Sequence, residues 1–201
     1  MLIYVYGGSG SGKSAYAEQR IVDSGETMRY YIATMEPFGE EGRRRIAHHR
    51  ALRAGKGFLT VECPVRLEQL ALSGSGAVLV EDLSNLLANE IWSAQGRGWT
   101  DADVLPETIA KACRQLSRQH TLTVVVGNDV YREGDVGTAE MERYIALLAA
   151  CQQRIAACAD EVIEVVCGIP LVQKRKYTDE KNHKQPAHCL CDVFEDTDTA
   201  G

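Results

Sequence analysis

The chain has 201 residues, 45% of them hydrophobic, which suits one ordinary domain large enough for a real core. Its formal net charge of −6 argues against general nucleic-acid binding. Seven scattered cysteines make no disulfide framework, no run approaches the ~18 apolar residues of a membrane span, and no basic leader follows Met1, so the expected compartment is the cytoplasm.

The first apolar run, Leu2–Tyr6, reads as a buried strand. It leads directly into Gly7-Gly8-Ser9-Gly10-Ser11-Gly12-Lys13-Ser14, followed by a helix-forming segment over 13–24. This is the phosphate-binding pattern GxxxxGK[ST] in its required strand-loop-helix setting. The glycines let successive N–H groups turn inward around a triphosphate, and the helix N-terminus adds partial positive charge. Lys13 supplies a point charge for the β- and γ-phosphates, and the Ser14 hydroxyl is a ligand for Mg²⁺.

Further strands are expected at Arg29–Ala33, Phe58–Cys63, Ala77–Glu81, Leu122–Gly127 and Glu161–Cys167. Helices are expected over 40–54, 65–72, 84–94, 103–119 and 138–158. Nearly continuous apolar strands alternating with helices imply a mostly parallel sheet covered on both faces. Residues 95–101 read as a loop, and Trp99 as a core or rim aromatic, with a wall for a large flat substrate as its other use. The domain is expected to span 1–172, with 173–201 a polar tail. His183, His188, Cys189 and Cys191 in that tail fit no standard zinc spacing.

Three places at strand ends and on one helix carry the remaining chemistry. The strand Ala77–Val80 ends in Glu81-Asp82, and one of these acids is expected to steady Mg²⁺ beside the loop. Their side chains alternate across the pleat, so only one faces the nucleotide. On the 40–54 helix Glu41, Arg45, His49 and Arg53 recur every four residues and share a face. A histidine between two guanidinium groups stays neutral, and neutral imidazole is a competent nucleophile toward phosphorus. A solvated amphipathic helix accounts for the same spacing. Asn128-Asp129 sits at a strand end, either as a ligand edge or as a simple turn.

Taken together these residues resemble the bifunctional adenosylcobinamide kinase / adenosylcobinamide-phosphate guanylyltransferase family of cobalamin biosynthesis. The resemblance runs from Gly7–Ser14 through Tyr31-Ile32-Ala33-Thr34 to an E-x-x-x-R-I-x-x-H-R-x-x-R series at Glu41, Arg45-Ile46, His49-Arg50 and Arg53. It continues at Thr60-Val61-Glu62 and Pro64, Glu81, Asn89, Asn128-Asp129-Val130 and Gly168-Ile169-Pro170-Leu171. It implies a three-layer P-loop NTPase fold, RecA-like, in the α/β class. It also implies phosphorylation of adenosylcobinamide with ATP or GTP, then GMP transfer from GTP through a guanylylated histidine, matched by His49. Lys13 is its second catalytic position. Nucleotide contacts are implied for the loop residues and for Thr34, Arg45, Arg53, Glu62 and Glu81, with Ser14 and Glu81 on Mg²⁺ and a homo-oligomer, a trimer, as the assembly. Gly10 stands where the family usually has arginine, and Tyr131–Gly137 and Ile145-Ala146 depart from its pattern. A small-molecule kinase lacking the second step, or a nucleotide-dependent switch, is the alternative.

Overall fold

A computed structural model describes residues 1–37, 39–130 and 137–176, without the side chains of Glu41, Arg45, His48, His49 and Leu52. Seven strands form one sheet in the order β3-β2-β4-β5-β1-β6-β7. They are β1 (Leu2–Gly7), β2 (Arg29–Ala33), β3 (Phe58–Glu62), β4 (Ala77–Glu81), β5 (Leu122–Asn128), β6 (Glu161–Val166) and β7 (Ile169–Arg175). All neighbours pair in parallel except β6 and β7, which form an antiparallel hairpin. The helices are α1 (Lys13–Asp23), α2 (Gly39–Arg53), α3 (Leu83–Trp92), α4 (Leu105–Gln119) and α5 (Ala139–Cys158). This is the expected three-layer, RecA-like P-loop architecture.

The central strands are apolar at successive positions because both of their faces are covered. On one face Ile3, Val5, Val124, Val126 and Ile163 pack with Ala17 and Ile21 of α1. On the other, Tyr4, Val80 and Val125 pack with Leu86 of α3, Ile109 of α4 and Leu148 of α5. Each aliphatic side chain buried in this way contributes about 1.5–3 kcal/mol. Parallel pairing brings the carboxyl ends of β1, β5, β4 and β2 to one edge, where Gly7, Asn128, Glu81 and Ala33 stand in line. Open α/β sheets bind ligands along that edge.

Two stretches differ from the sequence expectation. In place of a helix over 65–72 there is one 3₁₀ turn, Leu67–Gln69. Arg66 has φ 55, and its N–H donates to the Glu90 carboxylate at 2.6 Å, so the chain is committed to α3 before a helix can start. The hairpin strand β7 runs to Arg175, past the expected domain end at 172. The tail histidines and cysteines at 183–191 and the departure at 131–136 lie outside the described residues.

Past α3 the chain folds back over its last turn. Arg97 N–H and Gly98 N–H both donate to the Glu90 carbonyl, at 2.7 and 2.9 Å. The Arg97 guanidinium then pairs with the buried Glu90 carboxylate at 3.0 Å and with Glu68. Breaking a buried pair from one side leaves an uncompensated charge. Arg97→Ala is therefore expected to destabilise the fold by about 3 kcal/mol in urea unfolding, with Arg97→Lys recovering only part because it lacks the planar fork.

Candidate active site

The loop between β1 and α1 is shaped by close contacts that only glycine permits. A Cβ on Gly7 would lie 2.4 Å from the Val165 carbonyl oxygen. Gly12 has φ 90 and precedes α1 with no side-chain cap. The first-turn N–H groups of α1 are thus left for a ligand's oxygens. Lys13 is buried, its ammonium donating to the Gly8 carbonyl at 3.0 Å and folding back over its own loop. Gly10, where the resemblance expects arginine, has φ 68 and open space around it.

Glu81 rather than Asp82 faces the loop. The Ser14 hydroxyl donates to Glu81 Oε1 at 2.5 Å, while Glu81 Oε2 is enclosed with no hydrogen-bond partner. Burial and the neighbouring Asp82 push the Glu81 carboxyl up to about 8, against the opposing pull of Ser14 and Lys13. Asp82 is fully engaged elsewhere. It caps α3 by accepting from Asn85 N–H at 2.9 Å, and it also accepts from Ser84 Oγ, Asn85 Nδ2 and Asn128 Nδ2. An orphaned carboxylate oxygen beside a serine hydroxyl is a donor set that a hard divalent cation would complete.

Thr34, expected among the nucleotide contacts, is fully buried one step behind the cavity. Its hydroxyl accepts from Asp82 N–H at 2.7 Å and lies 2.8 and 2.9 Å from the Glu81 and Asp82 carbonyl oxygens. Its part is to hold the end of β4, whose Glu81–Asp82 peptide is cis. Asn89 ties the same turn to its neighbour by donating to the carbonyls of Thr34 and Pro64.

A cavity of about 390 Å³ opens from the loop toward α2. Lys13, Ser14 and Glu81 line it from the loop, α1 and β4, and Tyr31, Arg53 and Glu62 from β2, α2 and β3. The Arg53 guanidinium carbon lies 3.5 Å from the Tyr31 ring centroid, and its buried Nε has no partner. Burial and the nearby Glu81 hold the Tyr31 phenol far above its ordinary range, so it stays protonated. Arg50 pairs with Glu62 at 2.6 Å across the rim. An adjoining apolar pocket of about 750 Å³, walled by Met35, Pro37, Ile46 and Pro64, shares Arg50 and Glu62 with the first.

The backbone of α2 carries position 49 one residue before Arg50 and four before Arg53, and Ile46, Arg50 and Arg53 all line the cavity. The side chains of His49 and Arg45 lie outside the described residues. Met35, Ser84 and Asn85 also line the cavity, and no motif in the sequence singled them out. Trp99 packs edge-on against Trp92 at 5.6 Å, and the Arg143 guanidinium lies 5.0 Å from its ring centroid, so it belongs to an aromatic cluster outside the cavity.

The family model for cobinamide kinase / cobinamide phosphate guanyltransferase matches residues 3–173. The chain is 32% identical to the bifunctional adenosylcobalamin biosynthesis protein of Salmonella typhimurium, covering 84% of this chain and 97% of that one. It has the same identity and coverage with the protein of that name from Escherichia coli. Among solved structures, a KaiC-like protein of Pyrococcus horikoshii superposes with a TM-score of 0.49 at 14% identity, covering 90% of this chain and 81% of that one.

Lys13→Ala is expected to weaken ATP binding roughly a hundredfold, the loss of a desolvated charge-assisted contact, measured by calorimetry. Unchanged affinity contradicts the reading of the loop. The raised Glu81 carboxyl also sets a pH dependence. The folded state holds its proton more tightly than the unfolded state, so the contribution of this one group to stability is fully present below about 4.5 and is lost as pH rises through about 8. In the protein free of metal and nucleotide, Glu81→Gln is expected to flatten that decline in denaturant midpoints measured across the window.

Proposed function

Because the chain belongs to the cobinamide kinase / cobinamide phosphate guanyltransferase family, we propose that the cavity between the phosphate loop and α2 serves both half-reactions of that chemistry. In the first, the side-chain hydroxyl of adenosylcobinamide attacks the γ-phosphorus of ATP or GTP. The bond to the β–γ bridging oxygen breaks, and the nucleoside diphosphate leaves. In the second, the His49 imidazole attacks the α-phosphorus of GTP and pyrophosphate departs. The phosphate oxygen of adenosylcobinamide phosphate then displaces the histidine, giving adenosylcobinamide-GDP.

The observation that carries this reading is the continuity of the cavity from Lys13 and Ser14 to Ile46, Arg50 and Arg53 of the helix bearing His49. Phosphoryl transfer depends on positioning and charge neutralisation more than on a strong base. Lys13 and the free N–H groups of the α1 N-terminus supply that charge at the β- and γ-phosphates. Arg53, and with it Arg45, would do the same at the departing pyrophosphate. Ser14 and Glu81 are the residues that would hold Mg²⁺, which neutralises phosphate charge when bound. Thr34 acts behind them as a positioning residue, and Glu62 holds Arg50 at the rim.

Residues 1–172, extended by the end of β7, act as the catalytic domain, with the tail outside it. We take the assembly to be a homo-oligomer, a trimer by resemblance to the family, and the location to be cytoplasmic. Among the described residues no helix is long and apolar enough to cross a membrane.

Incubation with GTP labelled at the α-phosphate tests the histidine step. The protein should acquire acid-labile, alkali-stable label, and His49→Ala should acquire none. Equal labelling of the variant contradicts the role given to His49. Transfer of γ-label to the acceptor without any protein-bound label favours a kinase that lacks the second step.

A further inference from the structure

The loop fixes the direction in which a bound triphosphate runs. Lys13, Ser14 and Glu81 gather on the β4 side, and in a P-loop these groups serve the β- and γ-phosphates. In the order β4-β5-β1-β6-β7 the α-phosphate and nucleoside must then leave on the other side of β1, toward β6 and β7. Helix α2 lies on the β2–β3 side of the cavity, with Arg53 over Tyr31 of β2 and Arg50 paired with Glu62 of β3.

The tip of the β6–β7 hairpin stands in that path. Val166 and Ile169 pair across Cys167-Gly168, whose φ values of 50 and 80 make the primed turn suited to strand twist. Tyr6 of β1 pairs with Glu164, so the residues after Glu164 continue beside the phosphate loop. The tip is docked there: Gly168 N–H donates to the Ser11 carbonyl at 2.8 Å, and a Cβ on Gly12 would lie 3.3 Å from Gly168 Cα. Its side chains are apolar and open, with Val166 42% and Ile169 61% exposed and Cys167 exposed beside them. From Val165 to Val172 there is no charged residue and, apart from the thiol, no side chain that hydrogen-bonds.

We propose that this hairpin tip is the seat of the purine base of the phosphoryl-donor nucleotide. The assignment rests on the loop being a triphosphate cradle and is independent of the guanylyl step. A neutral, flat base fits an uncharged apolar tip held against the loop that grips its phosphates. A surface without side-chain donors or acceptors beyond one thiol offers no side-chain means to tell adenine from guanine, so ATP and GTP are expected to seat on it alike. The same geometry separates the two half-reactions. With its base on the hairpin, a nucleotide presents its γ-phosphorus toward α2 and its α-phosphorus away from it. Attack by a residue of α2 on the α-phosphorus therefore needs a second nucleotide pose or a movement of α2.

Alkylation of Cys167 by iodoacetamide in the full chain, followed by peptide mass spectrometry, tests the assignment. The arms are the free protein, and saturating tripolyphosphate, ATP or GTP, each with magnesium. ATP and GTP are expected to slow Cys167 alkylation at least about fivefold and to a similar degree, while tripolyphosphate leaves it near the free rate. Saturating nucleotide binding without protection, or equal protection by tripolyphosphate, overturns the base seat alone. Failure of all three to bind overturns the cradle beneath it as well. As a second arm, Ile169→Asp at its exposed position should raise the kinase KM for ATP and for GTP by about tenfold each. An unchanged KM for both overturns the proposal.

Discussion

The contact between Ser14 and Glu81 joins the two halves of the site. Ser14 belongs to the first turn of α1, after the loop, and Glu81 is the last residue of β4, two strands away from β1. A buried carboxylate with one unpartnered oxygen is costly, and its raised proton affinity is the direct sign of that cost. The surroundings keep it in place. Thr34 bonds the backbone on both sides of the Glu81–Asp82 peptide, Asp82 caps α3, and Asn128 at the end of β5 donates to Asp82 and Ser84. Three strand ends are thereby locked around one carboxylate whose remaining oxygen is free for a ligand. An unpartnered buried carboxylate oxygen of this kind is a group that a bound cation would satisfy.

From this point the cavity has a direction. The loop end is charged and is set on β1 and β4, whose residues are almost all buried. The far end is formed by α2 and the edge strands β2 and β3, where Arg53 lies over Tyr31 and Arg50 reaches Glu62. A fixed phosphate cradle at one end and a cationic helix at the other suit two transfers at different phosphorus atoms. The hairpin docked on the loop by Gly168 completes the ordering along the sheet edge.

Much of this was legible in the residues. The loop Gly7–Ser14 announces itself because close backbone packing and phosphate contact leave few other sequences. The parallel sheet follows from apolar strands covered on both faces. The choice between Glu81 and Asp82 was legible only as a pair, since it is settled by the partners of Asp82, drawn from α3 and β5. For Thr34 the resemblance implies a nucleotide contact, whereas the structure buries it behind the cavity. Its burial depends on β4 lying beside β2, which no local pattern reveals. The expected helix over 65–72 fails for a similar reason, because Glu90, distant in sequence, claims the Arg66 N–H. The strand β7 was hidden because its residues are mostly exposed and merge into a polar segment, leaving the Cys167-Gly168 turn as its one local signal.

The central claim is that Glu81 is held in readiness for a cation and a triphosphate. It is tested most directly by following the Glu81 carboxyl carbon by NMR through a pH titration, first without ligand and then with magnesium and a non-hydrolysable ATP analogue. The account predicts a midpoint near 8 in the free protein and its loss from that range once the ligands are bound, with the carboxylate ionised throughout. An ordinary carboxylate midpoint in the free protein, or a midpoint near 8 that the magnesium nucleotide does not move, would contradict it.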